Sequence, residues 1–182
     1  RPTRGRVTLP TVNEIERARP LVADSPRSSA HLALVGDKSL LFHEDDSPFL
    51  MYGVQGRSWI AMGDPIGRPD SRRELAWRFR ELADANGGRA AFYEVGTEDL
   101  PLYLDLGLSP QKLGEEARVP LPEFSLAGGS RKALRASHNR AVRDGCSFEI
   151  LPANAVPARL DELEAISNAW LAAKSTREKR FS

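Results

Sequence analysis

Five cations and no acid fall between Arg131 and Arg143: Arg131, Lys132, Arg135, Arg140 and Arg143, with His138 and Asn139 among them. Gly128-Gly129-Ser130 comes immediately before, and Asp144-Gly145 ends the run. A helix opening from such a loop turns unpaired N–H groups and the positive end of its dipole toward an anion. Arginine adds forked donors that match phosphate oxygens. The chemistry this stretch predicts is phosphate binding. The charge balance points the same way: residues 131–182 carry ten Lys and Arg against six acids, a net of +4, and residues 1–130 a net of −3. A merely solvated basic surface is the alternative at this point.

Other chemistry-bearing residues are sparser. His31, His43 and His138 lie far apart with no metal-ligand spacing. Neither a Gly-x-Ser-x-Gly elbow nor a phosphate-binding P-loop is present. The single Cys146 excludes an internal disulfide and a multi-cysteine metal site, and reads as a buried structural thiol. Met62-Gly63-Asp64-Pro65-Ile66-Gly67 is either a tight turn or a cradle for a phosphate. Asp64 opposes the cradle, and Arg68, Arg72 and Arg73 favour it. Glu115 and Glu116 are adjacent on an expected strand, so they face opposite sides and form no acid–base pair. Lys174-Ser-Thr-Arg-Glu-Lys-Arg-Phe181 is a dense mixed-charge segment, either a solvated helix end or the lining of a cleft.

The elements that position these residues follow from periodicity and caps. A hydrophobic content of 41% and a charged content of 28% fit a globular chain, and no apolar run approaches the roughly 18 residues of a membrane span. Val7–Leu9 predicts a strand, and Thr11 with Glu14 a capping box that opens a helix to Val22. Strands are expected at His31–Val35, Leu40–His43, Phe49–Tyr52 and Ser58–Met62. A helix follows from an N-cap at Ser71 boxed with Glu74, with Leu75, Phe79, Leu82 and Ala83 as its stripe, ended by Gly87-Gly88. Next come a strand at Ala90–Val95, a helix over Thr97–Leu106 and a strand at Glu115–Leu121. Beyond the basic helix, with its narrow apolar seam of Leu134, Ala141 and Val142, lie a strand at Ser147–Leu151 and a helix over Val156–Lys174. That helix carries Leu160, Leu163, Ile166, Trp170 and Leu171. The order predicts an α/β or α+β fold with helices over a central sheet. The opening Val7-Thr-Leu-Pro10 before a helix echoes Glu149-Ile-Leu-Pro152 before a helix, either the start of a second copy of the same domain or a chance match of four residues.

Several blocks together carry a family likeness. They are Tyr52-Gly-Val-Gln-Gly-Arg-Ser-Trp-Ile-Ala-Met-Gly-Asp-Pro-Ile-Gly67, Phe92-Tyr-Glu-Val95, Leu100-Pro-Leu-Tyr-Leu-Asp-Leu-Gly-Leu108, Lys112-Leu-Gly-Glu-Glu-Ala-Arg-Val-Pro-Leu121, Trp170-Leu-Ala-Ala-Lys174 and Arg177-Glu-Lys-Arg-Phe-Ser182. From His31 to Ser182 the chain closely resembles the soluble C-terminal domain of phosphatidylglycerol lysyltransferases, also called multiple peptide resistance factors.

The resemblance implies a tandem of GNAT-like acyltransferase folds, each a mixed sheet flanked by helices. The expected division is a first domain at 1–122, a linker and basic connecting helix at 123–145, and the opening strand and helix of a second, truncated domain at 146–182. Position 1 is Arg rather than Met, and the family pattern continues past Ser182, so a piece of a longer, multi-pass membrane protein is expected, facing the cytoplasm. The implied activity moves lysine or alanine from aminoacyl-tRNA to phosphatidylglycerol, which gives resistance to cationic antimicrobial peptides. The fragment alone is not expected to be fully active. No metal and no cofactor is implied, because the aminoacyl ester is already activated. The implied partners are aminoacyl-tRNA, phosphatidylglycerol or an anionic membrane surface, and the parent's N-terminal membrane domain. The site candidates are Glu116 and Glu178 for catalysis, and Arg131, Lys132, Arg135, Arg140, Lys174 and Arg177 for substrate phosphate. The competing readings are a non-catalytic module that docks tRNA or membrane, and a peptidyltransferase-like relative acting on cell-wall precursor.

Overall fold

The computed structural model describes residues 8–44 and 48–177. The chain forms two compact units, 1–114 and 115–182.

The first unit opens with α1 (Val12–Ala23). The Thr11 hydroxyl accepts from the Glu14 N–H, and the Glu14 carboxylate accepts from the Thr11 N–H at 2.7 Å. These bonds hold the Glu14 carboxyl below its ordinary pKa, the Thr11 backbone contributing most. The expected capping box is thus formed. Thr8 and Leu9 carry no regular structure, and Val7 lies outside the described residues. The Thr8 carbonyl accepts from Ser39 Oγ at 2.8 Å.

Ser28–Val35 is a 3-10 helix, where a strand was expected at His31–Val35. The buried residues there are Ala30 and Ala33, three apart. That is the period of a 3-10 turn, so its small residues stack on one face where a strand would alternate.

The sheet contains β1 (Ser39–Phe42), β2 (Pro48–Gln55), β3 (Ser58–Met62), β4 (Ile66–Gly67) and β5 (Arg89–Tyr93). The strand order is β1-β2-β3-β5, with β4 paired to β2. β1, β2 and β3 form the antiparallel meander, with Leu41 opposite Leu50 and Val54 opposite Trp59. β3 and β5 run parallel, Ser58 opposite Arg89. A parallel pair requires a crossover, which α2 (Arg72–Ala85) supplies. The sheet is therefore mixed and the α/β class is as expected.

Alternation decides what each face carries. Leu50, Tyr52, Val54, Trp59, Ala61, Ala90 and Phe92 share a face and pack with Leu75, Phe79 and Ala83 of α2. Phe79 anchors this core: its ring centroid lies 5.3 Å from that of Tyr52 and 5.4 Å from that of Phe92. Phe42 and Phe49 lie on the opposite face, where Arg17 of α1 stands 4.1 Å from the centre of the Phe42 ring. Ser71 is the N-cap of α2, but its side chain makes no capping hydrogen bond, so the second expected capping box is absent. α3 (Leu100–Asp105) is shorter than predicted and turns Leu102, Tyr103 and Leu106 inward.

The second unit is built differently. It holds α4 (Lys132–Arg143) and α5 (Leu160–Ala173), short 3-10 turns and irregular chain. The strands expected at Glu115–Leu121 and Ser147–Leu151 are not formed. A strand needs a neighbour for its N–H and C=O groups, and no other strand of this unit is present among the described residues. For the same reason the apolar residues have no sheet to cover. Phe148 is 89% exposed, and Leu160, Leu163, Ile166 and Trp170 of the α5 stripe are all exposed. The narrow apolar seam of α4 leaves Leu134 and Val142 exposed as well. Cys146, expected to be buried, is an exposed free thiol; its N–H closes the end of α4 while its side chain points to solvent.

Gly88 gives a direct test of the first unit's packing. A Cβ there would overlap the Trp59 indole and press on the Arg57 carbonyl. Gly88→Ala is expected to destabilise by about 1–3 kcal/mol, the cost of overpacking. Urea unfolding reads this as a lower midpoint at unchanged slope, and an unchanged midpoint would show that the indole moves aside freely.

Candidate functional site

The loop between β3 and α2 resolves as a turn around a buried carboxylate. Asp64 is 5% exposed. One oxygen accepts from Tyr103 Oη at 2.6 Å, and the other from the Gly96 N–H at 2.9 Å and from Arg27 at 2.7 Å. Every donor is directed at the charge, which satisfies a carboxylate that would otherwise be costly to bury. Arg27 leans on Glu98 as well, at 3.6 Å. The arginines that would serve a phosphate cradle have protein partners. Arg72 donates to the Gly67 carbonyl at 3.0 and 3.1 Å, and Arg73 pairs with Asp105 at 2.8 Å. The turn reading holds, and the loop's acid faces inward. Arg27, Gly96 and Tyr103 were not singled out from sequence. The available signal was an acid in an apolar, Pro-flanked turn, which has to find donors elsewhere.

The basic stretch is a helix, as predicted. A 3-10 turn at Gly129–Arg131 leads into α4, with Gly128 at φ 87°. The first turn of α4 contains no acid, and no side chain caps it. Arg131, Lys132 and Arg140 are exposed. Arg135 is half-buried, because its guanidinium folds back onto the loop. The same Nη1 donates to the Leu126 carbonyl and, at 2.6 Å, to the Gly128 carbonyl. Arg135 therefore braces the turn that opens the helix. Arg131 stands over Phe124, 5.5 Å from the ring centre. Neither contact was read from the sequence, although Phe124 and Arg131 flank the Gly-Gly turn.

The far end of α4 closes through its main chain: Gly145 N–H donates to Val142 and Cys146 N–H to Ala141. α5 ends in the same pattern, from Ser175 to Ala172 and from Thr176 to Leu171. Here Ser175, a non-glycine residue, takes φ 48°. Lys174 precedes this turn and Arg177 follows it, both exposed. Glu116 pairs with Arg118 at 2.8 Å, both side chains exposed. Glu178 lies outside the described residues. Arg131, Lys132 and Arg135 are thus gathered at one end of α4, Arg140 lies further along it, and Lys174 with Arg177 flank the end of α5.

Comparison with known proteins adds to this geometry. The family model for the C-terminal region of phosphatidylglycerol lysyltransferase matches residues 19–182. The chain belongs to this family. A phosphatidylglycerol lysyltransferase of Bacillus subtilis is 37% identical over 153 residues, 84% of this chain and 18% of that protein. One from Staphylococcus aureus is 36% identical over the same lengths. Among solved structures, the C-terminal domain of a protein titled a lysylphosphatidylglycerol synthetase, from Agrobacterium fabrum, has a TM-score of 0.83 at 45% identity. It matches 92% of this chain and 53% of that one. The structure titled L-PGS from Bacillus licheniformis has a TM-score of 0.78 at 31% identity, over 98% and 55%. The chain thus spans less than a fifth of the curated relatives and about half of the solved chains that it matches. No helix among the described residues is long and apolar enough to cross a membrane.

The Asp64 site has a pH signature. Burial, then the Asp64 charge and the hydrogen bond to it, raise the Tyr103 phenol far above its usual pKa. The folded state thus holds Tyr103 neutral, while an unfolded tyrosine ionises near pH ~10. The stabilisation is complete below pH ~10 and is lost as pH rises beyond it, by about 1.4 kcal/mol per unit. Tyr103→Phe is expected to flatten unfolding stability against pH above ~10 relative to the parent chain. Coincident slopes would show that the phenol is not held this way.

Proposed function

We propose that this chain is part of an aminoacyltransferase that moves lysine or alanine from aminoacyl-tRNA onto phosphatidylglycerol. The single observation that carries the reading is membership of the phosphatidylglycerol lysyltransferase family over residues 19–182. The acid-free, cation-coated α4 supports it, since both substrates bear phosphate. In this reading residues 146–182 begin a second GNAT-like domain. The exposed apolar stripe of α5 is the seat on which the rest of that domain packs. The soluble region stands at the cytoplasmic face of the membrane, joined to an N-terminal membrane domain.

The chemistry is a transesterification. A glycerol hydroxyl of the lipid attacks the aminoacyl carbonyl, the bond to the tRNA ribose oxygen breaks, and the hydroxyl proton passes to that oxygen. The ester is already activated, so the protein's work is to position the hydroxyl, accept its proton and stabilise the developing oxyanion. Arg131, Lys132 and Arg140 contact substrate phosphate. Arg135 holds the turn from which they project, and Lys174 and Arg177 supply further cations. Glu116 and Glu178 are the candidate acids of the site wall. An esterified lysyl group brings both its α- and ε-ammonium charges to the anionic headgroup, and that added positive charge is how the product repels cationic peptides.

Two measurements test this. The intact C-terminal region, given charged tRNA and phosphatidylglycerol vesicles, is expected to yield aminoacylated lipid. No product with either lysyl- or alanyl-tRNA refutes the transferase reading and leaves a docking module. Replacing Arg131, Lys132 and Arg140 together with Ala is expected to reduce the slope of log affinity for tRNA against log salt by about two to three. An unchanged slope removes α4 from the phosphate site.

A further inference from the structure

We infer that Phe124 and Arg131 form a stacking platform for an unpaired base at a single-stranded RNA end. This rests on the proposed use of aminoacyl-tRNA and deepens it, because phosphate contacts alone do not distinguish RNA from an anionic lipid. Phe124 is a large aromatic residue left 42% exposed, with the Arg131 guanidinium 5.5 Å from its ring centre. With the cation over one side of the ring, the exposed part of Phe124 and the outer side of the guanidinium suit a nucleobase, which stacks on aromatic and guanidinium planes alike. A glycerol headgroup offers no such plane.

The surroundings hold the pair in place and leave it open. Phe124 N–H donates to the Leu121 carbonyl at 3.1 Å, and Ala127 N–H to Ser125 Oγ at 3.1 Å. Arg135 ties the carbonyls of Leu126 and Gly128 together. The loop between ring and guanidinium is thus braced at three points without an acid. A Cβ at Gly128 or Gly129 would meet nothing within 4 Å, so the main chain between the partners is open to an approaching backbone. Glu123 is the sole acid between Arg118 and Asp144. Lys132 follows directly and is exposed, placed for the phosphate next to the stacked base. The base meets the Phe124–Arg131 pair, and the flanking phosphates meet Lys132 and the cations further along α4.

Fluorescence anisotropy with the full chain tests this, using three probes: an intact tRNA, the same tRNA with its unpaired 3′ end removed, and phosphatidylglycerol vesicles. Phe124→Ala is expected to weaken binding of intact tRNA by about five- to a hundred-fold, the value of one stacked base. Phe124→Leu, which keeps an apolar side chain without a ring, is expected to be as weak as Phe124→Ala. Phe124→Trp is expected to stay within about twofold of the parent chain. The salt slope of Phe124→Ala should match the parent, because no phosphate contact is lost. The trimmed tRNA should bind parent and variant equally, and vesicle binding should not change. Circular dichroism of each variant checks the helices. Parent-like tRNA affinity in Phe124→Leu, or an equal loss for trimmed tRNA, overturns the platform. If tRNA binds the parent with a steep salt slope and Phe124→Ala changes nothing, the platform fails and the proposed function stands. If the parent binds vesicles but no tRNA, both fail.

Discussion

A carboxylate buried at the turn after β3 ties the first unit together. Asp64 receives a phenol, a main-chain N–H and a guanidinium from three separate segments: α3, the loop after β5 and the loop after α1. An ionised acid in that position is tolerable only while all three donors stay in place. The constraint runs outward from there. A Cβ at Gly96 would overlap the ends of the Arg27 and Glu98 side chains, which would have to give way. Tyr103 must keep its hydroxyl while its ring packs 4.7 Å from Phe92. Arg27, in the loop after α1, must keep its guanidinium on Asp64. The crossover from β3 through α2 to β5 is pinned where it begins and just beyond where it ends.

What the sequence disclosed of this, it disclosed through local signals. Thr11 and Glu14 announce α1 because their partners are three residues apart. The α2 stripe is legible because Leu75, Phe79 and Ala83 repeat with the helix. Gly87-Gly88 and Gly107 mark helix ends that the main chain then closes. Asp64's partners were hidden for the opposite reason: Gly96 and Tyr103 lie 32 and 39 residues along the chain. No periodicity links such positions. Ser28–Val35 misled because its alternating look conceals a three-residue spacing of buried alanines. Residues 115–121 and 147–151 have strand-like composition, but composition supplies no partner for their backbone groups. In the basic helix the charges were plain from the sequence. The work of Arg135 was not, because a guanidinium bonded to its own loop carries the same letter as one waiting for phosphate.

The two units show how differently the same kinds of residue behave with and without a sheet. In residues 1–114 the apolar side chains of strands and helices find each other, and Phe79 is fully enclosed. In residues 115–177 comparable residues on α5 stay in solvent, and the order there comes from backbone closure and a few side-chain braces. Local hydrogen bonding gives a helix its shape, but tertiary burial supplies most of its stability. The second unit's helices are shaped, with their apolar faces still uncovered.

The first turn of α4 places Arg131 and Lys132 at the positive end of the helix dipole, with no acid to offset them. Cations there oppose the dipole, while Arg140 and Arg143 at the other end complement it. The helix is thus electrostatically frustrated at one end and relaxed at the other. Added salt relieves the repulsion at the first turn and, by the same screening, weakens any hold on a polyanion. Helical order and affinity therefore respond to ionic strength in opposite directions, and a bound anion is the one condition that favours both. By linkage, an anion that binds that end preferentially in its helical form also stabilises the helix.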